Sequence, residues 1–486
     1  IVLAICVVFH WINYKIDRKD KKKLLVNLCC LLVAFVSMYG YIRYVQADST
    51  VKKYGIYDKL FTPTTMTYKD GTVVAFLMEC KYLNIDKPSG YSDKKAEGIL
   101  AQYGNDAEFG SGRVVINSGD SGSDNTGTTV SETSPNIIII MDEAFSDLSV
   151  LGDYSTNVGD EIPFVRSMLA GADNTVSGYL DVSVVGGNTA NTEFEFLTGN
   201  SMAWLPQGSV PYQQYVKKNK ESMASILKNQ GYSTVAIHPY KAAGWDRDKT
   251  YKYFGFDSFL AIDDFYGPEI LRKYVSDDSD FNKVIDVYNS KEAGQPIFIF
   301  NVTMQNHSSY TEEYDNFPIN VEADGVDKLA TNQYLSLLNR TDESLEWFIS
   351  YMSASDEPTI VVFFGDHQPT DSVVNPICKL NGKSTSDMNE EELRDRYKVP
   401  FFIWANYDIE EQTGVSISPN LLGVRTMDIA GVKMSAYERY LLDMSKSYVS
   451  ISTMGITDAS GNTTSVKESS SKLTDYQMLQ YYMLFR

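Results

Sequence analysis

The alternation of apolar and polar positions divides the chain into three textures. Residues 1–13 are mostly apolar, and residues 24–42 run 19 positions without a charge. That length crosses a bilayer core of ~30 Å at ~1.5 Å per residue. Tyr39, Tyr41 and Tyr44 stand at its far end, where amphipathic rings favour the interface. Between the two apolar runs lies KIDRKDKKK, residues 15–23, with six basic and two acidic residues. The positive-inside rule puts this loop in the cytoplasm and everything after Arg43 outside the cell membrane. A signal peptide is the competing reading. Against it, an apolar segment precedes the basic loop and no small-residue cleavage site stands out. The first residue is Ile, so the opening run reads as the tail of a membrane helix cut at a fragment boundary.

The second texture, residues 47–134, is a connector with some helix. It ends in SGDSGSDNTGTTVSETS, residues 118–134, which cannot bury a core and reads as a linker. The third begins at Pro135. PNIIIIMDEAFSD is a β-branched run that stops at acidic residues. Residues 161–172 read as a helix, and 222–240 as helix, glycine stop and strand ending at His238. GQPIFIFNVTMQNHSS is a strand whose exit carries His307; residues 327–355 have helical periodicity; EPTIVVFFGDHQP and KVPFFIWAN are buried strands. Helices alternating with near-continuous apolar strands predict an α/β fold: a mostly parallel sheet flanked by helices. The segmentation is 1–46 membrane segments, 47–134 connector, 135–444 catalytic domain, and 445–486 a C-terminal segment packed back on it.

Composition sharpens this picture. A net charge of −20 argues against a nucleic-acid partner, which calls for a basic surface. It leaves an anionic substrate open, because a metal ion reverses the local field. Five cysteines give no disulfide framework: Cys6, Cys29 and Cys30 lie in the apolar runs. Cys80 and Cys378 read most simply as unrelated thiols.

One stretch organises the chemistry: GGNTANTEFEFLTGNSMAWLPQG, residues 186–208. A Gly-Gly-Asn turn delivers Thr189 to the start of a short helix. There the free N–H groups and the helix dipole favour a phosphate. Read alone, it is equally a turn with Thr189 as an ordinary N-cap. The chain has four histidines, and His238, His307 and His367 each follow a predicted strand, as do Asp142, Glu143 and Asp366. In open α/β sheets, ligands bind beyond the carboxyl ends of the strands. Any one of these residues could be a cap, but three histidines at one edge point to a site. Carboxylates, an Asp-His pair and a hydroxyl suit a divalent cation with mixed O and N ligands. Arg247 offers a bidentate phosphate clamp and Trp245 a surface for a carbon skeleton. Their alternative is a surface Arg and a half-buried Trp.

The set MDEAFSD, GGNTANTEFEFLTG with LPQGS, GWDRD, QNHSS and FFGDHQP resembles the lipoteichoic acid synthase group of the alkaline phosphatase/sulfatase superfamily. The resemblance runs in order over residues 136–406. These are membrane-anchored, multi-pass phosphoglycerol transferases of Gram-positive bacteria with the catalytic domain outside the cell. The resemblance implies a Thr nucleophile that takes glycerol phosphate from phosphatidylglycerol and passes it to a glycolipid, teichoic acid or polysaccharide acceptor. It implies Mn2+, or Mg2+, held by Glu143, Thr189, Asp366 and His367. Thr189 then matches the nucleophile. Trp245, Arg247 and His307 match residues that hold the glycerol phosphate, His307 also assists proton transfer, and His238 lies nearby.

Two departures matter. The sulfatase nucleophile pattern, Cys or Ser followed by x-Pro-x-Arg, is missing, which argues against sulfate ester hydrolysis. The best-known synthases carry Lys-Thr-Ser-Asp where this chain has Asn-Thr-Ala-Asn, so the charge lost at Asn188 leaves substrate preference open. Phosphoethanolamine transfer, phosphodiester hydrolysis and an inactive binding homologue remain the alternatives.

Overall fold

The computed structural model describes residues 21–56, 63–80, 85–104, 134–468 and 470–486. The apolar run 1–13, most of the basic loop and nearly all of the low-complexity tract lie outside the described residues. The chain groups into two units: Ile1–Asp86 with Pro206–Ser209, and Lys87–Leu205 with Val210–Arg486.

In the smaller unit, α1 (Lys21–Gln46) is one long helix. Its segment Leu28–Gln46 is long and apolar enough to cross a membrane. Leu28, Leu32, Phe35 and Val36 are 62–64% exposed, a surface that water disfavours and lipid accepts. It is the one such helix among the described residues, so the multi-pass expectation rests on residues outside them.

The larger unit is built on an eight-stranded sheet. Its strands are β1 (Asn136–Asp142), β2 (Thr175–Asp181), β3 (Ser233–Ile237), β4 (Ser258–Leu260), β7 (Ile297–Val302), β8 (Thr359–Gly365), β9 (Lys398–Ala405) and β10 (Gln412–Ile417). Two short strands, β5 (Ile270–Leu271) and β6 (Tyr274–Val275), pair as a separate hairpin. The spatial order is β10-β2-β9-β8-β1-β7-β3-β4. All pairs are parallel except those of β9, which runs antiparallel to both β8 and β2. The α/β fold expected from the pattern, a mostly parallel sheet flanked by helices, is the fold observed.

The near-continuous apolar runs have a simple cause: both faces of the sheet are covered. Ile138 of β1 stands beside Ile299 of β7 and Val361 of β8. These side chains enter one core with α3 (Pro163–Leu169), α6 (Asp277–Asn289), α7 (Leu329–Ser353) and α8 (Asp371–Leu380). On the opposite face, Phe300 and Phe364 meet Phe196 of α4 (Thr189–Thr198), with ring centroids 6.0 and 5.0 Å apart. Helix α4 packs in turn on α9 (Pro419–Ile429). Burying one aliphatic or aromatic side chain contributes roughly 1.5–3 kcal/mol, so this double-sided core carries the stability.

Helix α2 (Asp93–Gln102), within the stretch read as connector, packs on α10 (Ala436–Ser445) and α11 (Ser471–Phe485). The polar segment before α11 forms a three-stranded sheet from β11 (Tyr448–Ser452), β12 (Gly455–Asp458) and β13 (Thr463–Thr464). From α11, Tyr476 donates to the Gly199 carbonyl, and Gln480 exchanges two hydrogen bonds with the Ser201 backbone. These bonds brace the C-terminal end of α4, the helix whose other end carries Thr189.

Candidate active site

The candidate site residues lie at or just after the ends of β1, β3, β7 and β8, and in the segment after β2 that leads into α4. The loop before α4 is the most constrained. Gly186, Gly187 and Asn188 have φ of 67°, 143° and 71°, and only glycine, with Asn a distant second, adopts such values cheaply. Asn188 is the N-cap and Thr189 the first helical residue. The reading of Thr189 as an ordinary cap is thereby corrected. Its hydroxyl caps nothing and instead donates to Glu143 Oε2 at 3.1 Å, with the residue 4% exposed.

Glu143 follows β1, and its backbone N–H is held by Thr303 Oγ1 at 3.0 Å. Asp366 and His367 follow β8. The next N–H after Glu143, that of Ala144, donates to Asp366 Oδ1 at 2.7 Å, tying the two strand ends together. Gly365 makes this closeness possible: a Cβ there would sit 1.9 Å from the Phe145 carbonyl oxygen. Ligand atoms of Glu143, Asp366 and His367 all lie within 4.8 Å of one another, and all three residues are buried.

The donor chemistry of this cluster tests the metal expectation. His367 Nδ1 is 3.0 Å from the Gln368 carbonyl, a contact that needs a proton on Nδ1. In the neutral ring Nε2 then presents its lone pair, and it faces Asp366 Oδ2 at 3.2 Å and Glu143 Oε1 at 3.7 Å. Among the described residues, Asp366 Oδ2 and His367 Nε2 have no hydrogen-bond partner. Buried oxygen and nitrogen donors converge on one point, which is the arrangement a cation completes. Burial first, then the Asp366 charge, raises Glu143 to about 8, and burial raises Asp366 as well. The residues fit a divalent ion.

A second group sits beside the first. Arg247 opens α5 (Arg247–Tyr253) after Trp245 and Asp246, two left-handed residues with φ of 57° and 60°. That pair of turns drives the guanidinium inward, where Arg247 is 2% exposed. Its Nε donates to Glu193 Oε1 at 3.0 Å, its Nη2 to the same oxygen at 2.5 Å, and its Nη1 contacts His238 Nε2 at 3.1 Å. Tyr251 donates to Glu193 Oε2 at 2.6 Å. His238 Nδ1 is 2.8 Å from the Val302 carbonyl, so the neutral ring accepts from Arg247 through Nε2; burial lowers its pKa well below the usual value. Glu193 was not legible as a site residue. The available signal was position: it lies four residues after Thr189, on the same helical face. Trp245 is half-buried beside this group.

His307 lies on the loop after β7, half-buried, with its Nδ1 2.7 Å from the Ser308 carbonyl. Tyr274 of β6 touches both, at 3.0 Å from Nδ1 and 2.9 Å from the Ser308 oxygen. The Asp366 charge reaches His307, and the Arg247 charge reaches Glu143, so the groups share one electrostatic field. Asp142 stands just behind, its Oδ1 accepting from Asn306 at 2.8 Å, and burial raises its pKa well above the usual value.

A mostly parallel α/β sheet whose strand ends gather a hydroxyl, two carboxylates and an imidazole fits the site of a metal-dependent enzyme. Comparison narrows the class: the chain belongs to the sulfatase family, which it matches over residues 135–432. A putative cyclic β-1,2-glucan modification protein of Rhizobium meliloti is 27% identical over 495 residues, covering 100% of this chain and 72% of that protein. A lipoteichoic acid synthase of Staphylococcus saprophyticus is 26% identical over 236 residues, 48% of this chain and 35% of that one. The chain thus spans about a third of that synthase's length. A phosphoglycerol transferase of Streptococcus pyogenes, solved with sn-glycerol-1-phosphate, superposes with a TM-score of 0.62 at 22% identity. That superposition covers 82% of this chain and 94% of the other.

Proposed function

We propose that the protein is a membrane-anchored phosphoglycerol transferase. In this reading it moves glycerol phosphate from phosphatidylglycerol to a hydroxyl of a cell-envelope acceptor. The acceptor class is a lipoteichoic acid, glycolipid or surface polysaccharide. The lipoteichoic acid synthase and glucan modification relatives support that range. The observation that carries the reading is Thr189. Its hydroxyl sits at the N-terminus of α4, hydrogen-bonded to Glu143, in the cluster completed by Asp366 and His367.

Glu143, Asp366, His367 and the Thr189 hydroxyl would hold the ion, Mn2+ or Mg2+. When bound, it lowers the pKa of a ligated hydroxyl and neutralises charge on a phosphoryl oxygen. The remaining work belongs to the chain. Thr189 directs its O–H at Glu143, which turns the oxygen lone pairs away from that carboxylate and toward a phosphorus. The first N–H groups of α4 and the two guanidinium N–H bonds of Arg247 not used by Glu193 or His238 bind the phosphoryl oxygens. Glu193 and His238 keep that guanidinium in one orientation, so little rotamer freedom is lost on binding. Thr189 displaces diacylglycerol, and an acceptor hydroxyl then displaces Thr189. A lipid donor accounts for the apolar helix α1, which would anchor the chain in the membrane that carries the donor.

The test is to incubate the purified full chain in detergent with phosphatidylglycerol and Mn2+, reading diacylglycerol release and the mass added to Thr189 together. A glycerol phosphate adduct that vanishes in Thr189→Ala supports the reading. An ethanolamine phosphate adduct with phosphatidylethanolamine, or release without any adduct, replaces it with another donor or with hydrolysis. Unchanged release in Thr189→Ala sinks it.

A further inference from the structure

The hairpin β5–β6 has no part in the sheet, and its two strands are only two residues each. Its side chains nevertheless converge on one target. Arg272, in the turn at φ 55°, is 4% exposed. Its guanidinium donates to three carbonyls of one loop: Gln305 at 2.7 Å, His307 at 2.7 Å and Ser309 at 3.1 Å. Tyr274 adds its contacts to Ser308 O and His307 Nδ1. Residues 272 and 274 thus hold the loop 305–309 from one side, although more than 30 residues separate them in sequence.

The protons can be placed from these distances. A carbonyl oxygen 2.7 Å from Nδ1 has no proton to give, so Nδ1 must carry one. The phenol of Tyr274 spends its own proton on the same carbonyl at 2.9 Å, which leaves its oxygen lone pairs facing Nδ1 at 3.0 Å. Both neighbours of Nδ1 are then acceptors, and the opposite tautomer would set a nitrogen lone pair against two oxygens. The lone pair of His307 is therefore on Nε2. No described residue forms a hydrogen bond with Nε2, in contrast to His238, whose Nε2 accepts from Arg247. A neutral imidazole in this tautomer accepts a proton; it does not donate to a phosphoryl oxygen.

We propose that Tyr274, with Arg272, is a positioning residue that fixes His307 in its Nδ1–H tautomer, so that Nε2 takes the proton of the acceptor hydroxyl in the second half of the reaction. This rests on the transfer reading above. The acceptor oxygen–phosphorus bond forms, and the Thr189 Oγ–phosphorus bond breaks. The acceptor proton passes to Nε2, and His307 returns to neutral by releasing it to water as Thr189 Oγ takes one up. The resemblance implies that His307 assists proton transfer; the contacts of Tyr274 and Arg272 assign the nitrogen and the direction.

The tautomer is read directly by long-range 1H–15N correlation on the full chain labelled with 15N-histidine, where only four imidazoles contribute. The wild-type protein should give a protonated-type Nδ1 and an unprotonated-type Nε2 for His307, assigned with His307→Gln. Tyr274→Phe frees the Ser308 carbonyl from the hydrogen bond that holds it against Nδ1, so the two tautomers should mix. It should also lower the kcat for acceptor transfer about tenfold, with acceptor KM unchanged. An Nε2-protonated His307 in the wild-type protein overturns the proposal without any variant. So does a Tyr274→Phe protein that loses rate while its His307 tautomer stays as in wild type, or one that keeps both. If phosphatidylglycerol is no donor, the transfer reading falls while the tautomer result stands by itself.

Discussion

Replacing Glu193 by Gln isolates the buried pair behind the site. Glu193 and Arg247 have side chains 0% and 3% exposed, and the carboxylate is the counter-charge that the guanidinium has in direct contact. Burial alone would press Arg247 toward its neutral form; the Glu193 charge overrides this and holds the guanidinium above its usual range. The Gln side chain keeps the shape and an acceptor for Tyr251 but removes the charge. Breaking a buried pair from one side costs about 3–5 kcal/mol, because the other charge stays buried without compensation. At roughly 2 °C per kcal/mol for a large domain, Tm should fall by about 6–10 °C. A double-mutant cycle makes the argument sharper. Arg247→Met added to Glu193→Gln removes the stranded charge and should recover most of the loss, about 2–3 kcal/mol, so the cycle should be far from additive. Thermal unfolding of the four proteins, followed by circular dichroism at one pH, supplies the numbers. Glu193→Gln should also lower kcat/KM for the donor at least tenfold, since the guanidinium loses the anchor that orients it. A Glu193→Gln protein with wild-type Tm, or a cycle that is simply additive, would refute the account of Arg247 as a pre-oriented clamp.

Two further outcomes follow from the same physics. Glu195, on α4, is pushed up to about 8 by burial, against the Met202 N–H and the Ser183 and Ser201 hydroxyls that favour its carboxylate. Its folded pKa lies above the unfolded value of about 4.3, so the native state keeps a proton that the unfolded chain has lost. Its contribution is complete below about pH 4.3 and fades as pH rises toward 8; Glu195→Gln should flatten the decline of Tm between pH 5 and 8.5, and parallel curves would contradict this. Gly365→Ala places a Cβ 1.9 Å from the Phe145 carbonyl, so it should cost more than about 3 kcal/mol and yield insoluble or metal-incompetent protein. A soluble Gly365→Ala protein that binds Mn2+ as wild type does in a calorimetric titration would show that the strand ends tolerate separation.

The amino-acid pattern by itself determined the strands whose residues are apolar on both faces. β1, β7, β8 and β9 each read as an unbroken run, because a strand covered by helices on both sides has no polar face to show. It also placed Glu143, Asp366, His367, His238 and His307, since each comes just after an apolar strand run, and the chain direction fixes which sheet edge they reach. Thr189 was legible because Gly-Gly-Asn is a local backbone signal. What the sequence left undetermined is everything that depends on distant segments meeting. β2 and β10 are interrupted by glycine, and they become strands because β9 gives β2 an antiparallel partner and β2 in turn gives β10 a parallel one. Glu193 and Arg247 are 54 residues apart, and their pairing exists only once α4 and α5 are laid against the same edge. Tyr274 and Arg272 sit in a hairpin that no period announces, yet they place the proton on His307. Local periodicity records which residues are buried; which buried charge meets which, and which nitrogen carries the proton, are settled by contacts that form only when the sheet is complete.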